Sequence, residues 1–360
     1  MCDNIMVLGD IHIGARNSSH VFRETFRKYF RDCVFPLVKQ RNIKQIIQLG
    51  DFFDNRNSVS LHDIDYVLNE FLPQLEDTGA IMYVLAGNHD VAYKNTNKIH
   101  SLSILETSPN VRVIHDHVEP ISTQSKTFVL CPWINNENEE QLMEEVKHYA
   151  TKNHILCGHF EFEGMKMNKT SKPCENGLDP TQFKKFYQVI SGHFHHPSTY
   201  GNVSYMGSVF HLTWQDHDDS KFIYIFDTNT DEFEPIENPY SLFKQLDYHD
   251  DDLLNISDED LVEYCEGKFV RVVIDSEYKR VDLKDIVHRI EKIKPLSVDV
   301  IDNTILEVDA AEPDEVELSE SKDINDYVDE FLEESPHKQT LTSMFNEIFD
   351  EAQQRIREVE

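Results

Sequence analysis

Ile46-Ile47-Gln48-Leu49-Gly50-Asp51-Phe52-Phe53-Asp54 joins a short apolar, β-branched run to an abrupt Gly-Asp turn, and the reading of that junction decides the fold. A run of this length bounded by a turn reads as a buried strand, and the glycine lets the chain bend sharply away from it. Four more segments repeat the pattern: Ile5-Met6-Val7-Leu8 before Gly9, Ile81-Met82-Tyr83-Val84-Leu85 before Gly87, Ile155-Leu156-Cys157 before Gly158, and Val189-Ile190 before Gly192. Between the first three lie stretches, around 21 to 40 and 61 to 76, with apolar residues at three and four spacing, which predicts helices. Strands alternating with helices predict an α/β fold with a sheet buried on both faces.

Further out, residues 111 to 134 and 203 to 227 read as adjacent strands with polar turns, and Pro235 and Pro239 mark a break. The first domain is therefore expected over 1–235. A small βαβ unit is expected over 245–308, with Phe269 to Ile274 as a strand, 282 to 293 as a helix and 296 to 308 as a second strand. Residues 309–322 are acidic and poor in aromatics and read as a linker. Beyond it, 323–360 reads as a tail of two short amphipathic helices around Ser335-Pro336. The repeat of Ile324, Tyr327, Val328, Phe331 and Leu332, then of Leu341, Met344, Phe345, Ile348 and Phe349, carries that reading. Helices this short are marginal alone, so they need a groove to fill.

The formal charge of −32 argues against unassisted binding to a polyanion, whose affinity normally comes from Lys and Arg displacing counterions. Residues 295 to 360 hold 20 Asp and Glu against 4 Lys and Arg, which is half of that charge. Acid is thus concentrated in the tail, and metal ions or a basic partner would have to supply positive charge. The six cysteines (Cys2, Cys33, Cys131, Cys157, Cys174 and Cys265) form no C-x-x-C pair and read as reduced thiols, with Cys131 and Cys157 in apolar runs. No apolar run approaches the roughly 18 residues of a membrane span, and the N-terminus does not open a secretory signal, so a cytoplasmic protein is expected.

Five clusters follow the five strands: Gly9-Asp10-Ile11-His12, Gly50-Asp51-Phe52-Phe53-Asp54, Gly87-Asn88-His89-Asp90, Gly158-His159 and Gly192-His193-Phe194-His195. Side chains at the carboxyl ends of neighbouring strands converge on one edge of a sheet, where open α/β folds bind ligands. Asp10 and His12, two apart on an extended chain, would point the same way and hold one ion together, and the same reading applies to His193 and His195. One Gly-Asp turn or one buried histidine is ordinarily structural. Five clusters in this order, each behind a strand, argue for one metal site. Imidazole, carboxylate and a single amide suit manganese, iron or zinc better than calcium, and better than magnesium. A carboxylate can bridge two ions about 3.5 to 4 Å apart, and Asp51 is the candidate for that bridge.

The ordered set Asp-x-His, Gly-Asp-x-x-Asp, Gly-Asn-His-Asp, Gly-His and Gly-His-x-His resembles the calcineurin-like metallophosphoesterase superfamily over roughly residues 5 to 227. Gly50 to Ser60, Gly192-His-Phe-His-His-Pro197 and Tyr205-Met-Gly-Ser208 resemble the SbcD-type nuclease branch, which includes phage recombination endonuclease subunits. The resemblance implies a two-sheet sandwich flanked by helices, with a small α/β capping domain and a helical tail. It implies one ion on Asp10, His12, Asp51 and His195 and a second on Asp51, Asn88, His159 and His193. His89 would be the catalytic histidine that is not a ligand, oriented by Asp90, and manganese the usual metal. It further implies DNA as substrate, an SbcC-type coiled-coil ATPase docked on the tail through Ile324, Phe331, Leu341, Phe345 and Ile348, and host cytoplasm as the location if the chain is phage-encoded. A homodimer within a heterotetramer would form through the apolar sides of 61 to 72 and 98 to 105, with Leu61, Ile64, Leu68 and Phe71. The position after Asn55-Arg56-Asn57 often holds Pro in the family and is Ser58 here, a peripheral departure.

The ligands alone do not choose between DNA, a nucleotide and a phosphoprotein. Phosphoprotein phosphatases carry Arg directly after the second Asp of Gly-Asp-x-x-Asp, and here Asn55 stands there with Arg56 following. A scaffold that has lost catalysis is the reading from another class, and against it all seven ligand positions hold competent residue types.

Overall fold

Alternate residues of β1 (Ile5–Leu8) enter two different cores, which is why all four are apolar. Ile5 and Val7 face a second sheet, while Met6 and Leu8 face helices, and none is more than 1% exposed. The computed structural model describes residues 4–167, 172–248, 253, 255–275 and 280–304. The expected linker at 309–322 and tail at 323–360, with Ile324, Phe331, Leu341, Phe345 and Ile348, lie outside the described residues.

β1 pairs in parallel with β2 (Gln45–Gln48), and β2 with β3 (Ile81–Leu85). A two-stranded ribbon of β4 (Val91–Tyr93) and β5 (Thr96–His100) interrupts before β6 (Val111–Ile114) extends the sheet beside β3. β7 (Glu119–Ser122) and β8 (Thr127–Cys131) open a second sheet as a hairpin. β9 (His154–Gly158), β10 (Gln188–Ser191), β11 (Ser198–Tyr200) and β12 (Val203–Tyr205) complete it in the order β7-β8-β9-β10-β12-β11. The chain then crosses back. β13 (Phe222–Asp227) lies antiparallel to β1, and β14 (Glu232–Glu237) closes the first sheet as β14-β13-β1-β2-β3-β6.

The two sheets pack through Ile5, Val7, Ile47 and Leu85 against Phe128, Leu130, Ile155 and Ile190. Helical segments 20–40 and 61–78 cover the outer face of the first sheet, and the helix Glu139–His148 packs on the second through Leu142 and Val146. This is the two-sheet α/β sandwich that the motifs imply. Each of the two long helical segments carries one π-type turn, Phe30–Val34 and Val67–Phe71, just ahead of Pro36 and Pro73. Proline has no N–H and crowds the carbonyl four residues back, so the ladder opens there without ending the helix.

Three expectations change. The strands at 203 to 227 are not adjacent: β12 belongs to the second sheet and β13 to the first. Likewise β6 joins the first sheet while β7 and β8 belong to the second. The chain does not break at Pro235 either, because β14 runs through it to Glu237 with Pro235 opposite Tyr224. β14 is an edge strand, where a residue without an N–H is tolerated.

β15 (Phe243–Asp247), β16 (Phe269–Ile274) and β17 (Ser297–Asp302) form a small parallel sheet, backed by the helices Asp258–Cys265 and Arg280–Lys292. Its core joins Leu246, Val270, Val272 and Ile274 to Leu261, Ile286 and Ile290. Phe243 and Phe269 reach the first helix, their rings 6.1 and 6.2 Å from Phe22. β15 and the helix after it were not expected from the sequence. Among the described residues no helix is long and apolar enough to cross a membrane.

Of the four dimer candidates, Phe71 belongs to the interior. It is 1% exposed, with its ring 4.9 Å from Phe30, 5.3 Å from Phe35 and 5.5 Å from Phe52. Truncating such a ring to alanine costs about 3–5 kcal/mol of fold stability, whatever the state of association. Leu61 and Leu68 are exposed and Ile64 half-buried.

Candidate metal centre

The loops after β1 and β2 are laced together before any side chain is considered. Asp51 O accepts the N–H of Ile11 at 3.1 Å and of His12 at 3.0 Å, and Ile13 N–H donates to Phe52 O at 2.8 Å. This lacing requires left-handed backbone at His12 (φ 56°) and Asp51 (φ 54°), and His193 shares it (φ 86°). His12 and His193 are therefore not on extended chain, contrary to the sequence reading. Left-handed backbone at a residue with a Cβ costs on the order of 1–3 kcal/mol and is concentrated at functional sites. Two glycines serve a purpose other than leaving room for an ion. A Cβ at Gly87 would lie 2.3 Å from Asp51 Oδ1, and one at Gly192 would lie 2.4 Å from Asp10 Oδ1, so each makes room for a carboxylate.

The seven candidate ligands come together in two groups. In the first, His12 Nε2 lies 3.1 Å from His195 Nε2, with Asp10 Oδ2 3.9 and 3.7 Å from the same two nitrogens. In the second, His159 Nε2 lies 3.2 Å from Asp51 Oδ2 and 2.9 Å from Asn88 Oδ1, and His193 completes the cluster with Asp51 and His159. His193 and His195 thus fall in different groups, although the direct reading of the sequence put them on one ion. Asp51 Oδ2 also lies 3.7 Å from His12 Nε2, so this one carboxylate reaches both groups.

The arrangement fits divalent cations on chemical grounds. His159 Nδ1 donates to the Leu49 carbonyl at 2.8 Å, which leaves the Nε2 of the neutral ring as a lone pair facing two oxygens. Acceptors gathered this way need a proton or a cation between them. In the metal-free chain, burial disfavours charge on His12 and His159, but the adjoining carboxylates outweigh it and raise both to about 9. Burial and neighbouring imidazolium charge lower His193 and His195 to about 3. Burial raises Asp10 to about 6, with His159 opposing the rise and Asp51 adding to it. Burial would raise Asp51 too, but His159 and His12 hold it well below the usual carboxylate range.

Asp90 does not orient His89. Its carboxylate accepts the backbone N–H groups of Gly87 at 2.9 Å, Phe53 at 3.0 Å and Phe52 at 3.3 Å, and so ties the second loop to the third. The His89 ring is held by the Asp54 carbonyl, 2.6 Å from Nδ1, and its backbone N–H donates to Asp51 Oδ1 at 2.7 Å. Asp54 also places Oδ1 3.2 Å from His12 Nδ1. As the second Asp of Gly-Asp-x-x-Asp it belongs to the motif, but no role for it was expected. Lys221 was missed as well. It is fully buried, and its Nζ donates to the His195 carbonyl at 2.9 Å and to Asp216 Oδ1 at 2.6 Å. Asp216 in turn accepts the N–H groups of Leu212 and Thr213, so this ion pair fixes the loop that carries His195. A lysine opening an apolar strand after a charged, turn-rich stretch was the available signal.

A two-sheet sandwich with carboxylates and imidazoles gathered at its strand ends defines a metal-dependent hydrolase of phosphate esters. The family model described as calcineurin-like phosphoesterase matches residues 4–226, and the chain belongs to that family. It is similar to Exonuclease subunit 1 of Enterobacteria phage T4, 27% identical over 362 residues that cover 97% of this chain and 99% of that protein. It is also similar to the SbcD component of the nuclease SbcCD of Escherichia coli (strain K12), 24% identical over 271 residues, 65% of this chain and 67% of that protein.

Proposed function

We propose that this chain is the nuclease subunit of a DNA-break repair and recombination complex and hydrolyses DNA phosphodiester bonds with two divalent ions. The observation that carries the chemistry is Asp51, whose Oδ2 lies 3.7 Å from His12 Nε2 and 3.2 Å from His159 Nε2. One carboxylate between two ligand groups is what a two-ion centre requires. The choice of DNA is supported by likeness, over nearly the whole chain, to a protein named as an exonuclease subunit.

Asp10, His12, Asp51 and His195 would hold one ion, and Asp51, Asn88, His159 and His193 the other; the donor mixture suits manganese, iron or zinc, and the resemblance to SbcD-type nucleases favours manganese among them. Such ions, when bound, supply activation of water and neutralise charge on the phosphoryl oxygens. The chain's own residues do the rest. Asp90 keeps the Asp51 and Asn88 loops in register, and His89, its Nδ1–H donating to the Asp54 carbonyl, would in its imidazolium form give the Nε2 proton to the leaving oxygen and be left as the neutral ring.

The catalytic domain, expected over 1–235, would run on through β14 to Glu237, and the capping domain, expected over 245–308, would open with β15 at Phe243, with 309–322 as a linker and 323–360 as the tail that docks on a coiled-coil ATPase in the cytoplasm. Deleting 320–360 should abolish ATPase binding and leave cleavage of short single-stranded DNA near its original rate. A truncated chain that still captures the ATPase with unchanged affinity removes that role. Exposed Leu61, Leu68 and Ile99 support a homodimer, and a monomeric mass by sedimentation at micromolar concentration would count against it.

The function itself is tested by manganese-dependent release of nucleotides from linear duplex DNA, with and without the ATPase, beside a phosphopeptide. Nucleotide release that chelation stops is the expected result. Turnover of the phosphopeptide with intact DNA would move the chain to the phosphatases.

A further inference from the structure

A cavity of about 380 Å³ opens beside the second ligand group, with the buried His159 in its wall. We propose that it is a nucleobase pocket for a nucleotide adjoining the scissile phosphate, an inference that rests on the reading of DNA as substrate. Its volume is at the small end for ligand pockets and suits one heteroaromatic ring system. Trp133 supplies the aromatic surface, its ring 5.8 Å from that of His159 and 5.4 Å from that of His193. A base held on this indole therefore lies within a nucleotide's reach of the candidate ligands.

The main chain that carries the indole is anchored where the two sheets meet: the backbone N–H of Trp133 donates to the Ala86 carbonyl at 2.8 Å, and its backbone carbonyl accepts from Asn97 Nδ2 at 2.8 Å and Asn138 Nδ2 at 3.1 Å. A half-buried indole on an anchored main chain, with only two side-chain torsions to restrict, offers a stacking surface for a base. Polar groups complete the wall: the amides of Asn136 and Asn176 and the carboxylates of Glu139 and Glu161. The carboxylates repel phosphate, so the sugar-phosphate backbone is excluded and a flat, neutral group is admitted. They also accept hydrogen bonds from exocyclic amino groups, which adenine, cytosine and guanine carry and thymine lacks.

The test is a coupled cycle of Trp133→Ala against a single abasic residue, moved position by position through a short single-stranded oligonucleotide, with manganese content measured on each protein. Trp133→Ala should lower kcat/KM on the intact oligonucleotide roughly 5- to 100-fold, the range for losing one stacked base. At one position the abasic residue should reduce wild-type cleavage equally and the variant's no further, and Trp133→Phe should recover most of the rate. Losses that add at every position overturn the pocket. So does loss of manganese from Trp133→Ala, since the indole would then only pack the histidines. If the wild type cleaves no oligonucleotide at all, the DNA reading fails and takes the pocket with it, an outcome distinct from additive losses.

Discussion

The two sheets bring unlike chemistry to the same edge. The first, through the loops after β1, β2 and β3, brings both candidate-ligand carboxylates, Asp10 and Asp51, with His12 and Asn88. The second, through the loops after β9 and β10, brings only imidazoles: His159, His193 and His195. The charge of the centre is thus set on one side and its neutral donors come from both. Protonation divides differently, by nearness to the carboxylates: His12 from the first sheet and His159 from the second are raised, whereas His193 and His195 are lowered. Loss of Asp51 from the first sheet should change both ions, and loss of an imidazole from the second only one.

The strongest way to break that contrast is Asp51→Ala beside His195→Ala. Asp51→Ala should reduce hydrolysis to background and release at least one metal equivalent, while His195→Ala should weaken one ion and spare the other. Metal content and nuclease rate measured together decide it, and two ions with near-normal rate in Asp51→Ala would remove that residue from the centre. His89 tests whether the first sheet also supplies a group that is not a ligand. His89→Ser should keep both metals and lose roughly 10²- to 10⁴-fold in rate, the worth of an acid-base group; loss of metal would make it a ligand instead.

Lys221 sharpens the second sheet's side. Lys221→Met leaves buried Asp216 without its ion-pair partner, and breaking a buried pair costs about 3–5 kcal/mol. Urea unfolding should show that loss, and metal titration should show roughly 10- to 100-fold weaker binding through His195, as for supporting residues around other metal sites. Normal metal affinity in a destabilised variant would make Lys221 a fold residue alone.

The smallest effect concerns pH. His12 and His159 have folded pKa values near 9, above the unfolded value of 6.5, so in the metal-free chain their contribution to stability is complete below about 6.5 and is lost as pH rises through 9. Asp10 near 6 is largely ionised by pH 7, while Asp90 near 7 is half ionised there, and a carboxylate raised above its unfolded value also loses stability as pH rises, so it acts in the same direction. Between pH 7 and 9 the Tm of chelated protein should therefore fall. With manganese it should fall less or rise, because binding a cation displaces those protons. Parallel curves with and without metal would sever the link between the imidazoles and the ion.

The five strand-to-glycine junctions were legible because each strand is buried on both faces and so is apolar at consecutive positions. β15 was not, since Phe243-Lys-Gln-Leu-Asp247 carries polar residues at three of its five positions. The partition into two sheets was hidden too: β13 pairs with β1 from more than 200 residues away, with Phe226 opposite Ile5, and no local pattern records that. At the centre, residue types pointed to all seven candidate ligands, but the backbone did not reveal itself. Left-handed φ at His12, Asp51 and His193 follows from hydrogen bonds between loops. The partner of His89 is a main-chain carbonyl, which leaves no mark in residue identity, and the neighbouring Asp90 drew the assignment instead.

The edge strand β14 bears on the protein's life in concentrated solution. An open sheet edge invites another chain to add a strand, the usual start of polymerisation. This edge reads Glu232-Phe-Glu-Pro-Ile-Glu237, with three carboxylates and a residue that cannot donate a main-chain hydrogen bond. Two copies meeting there would bring like charges together over an interrupted ladder. The proline that reads as a domain boundary thus serves as a guard against aggregation.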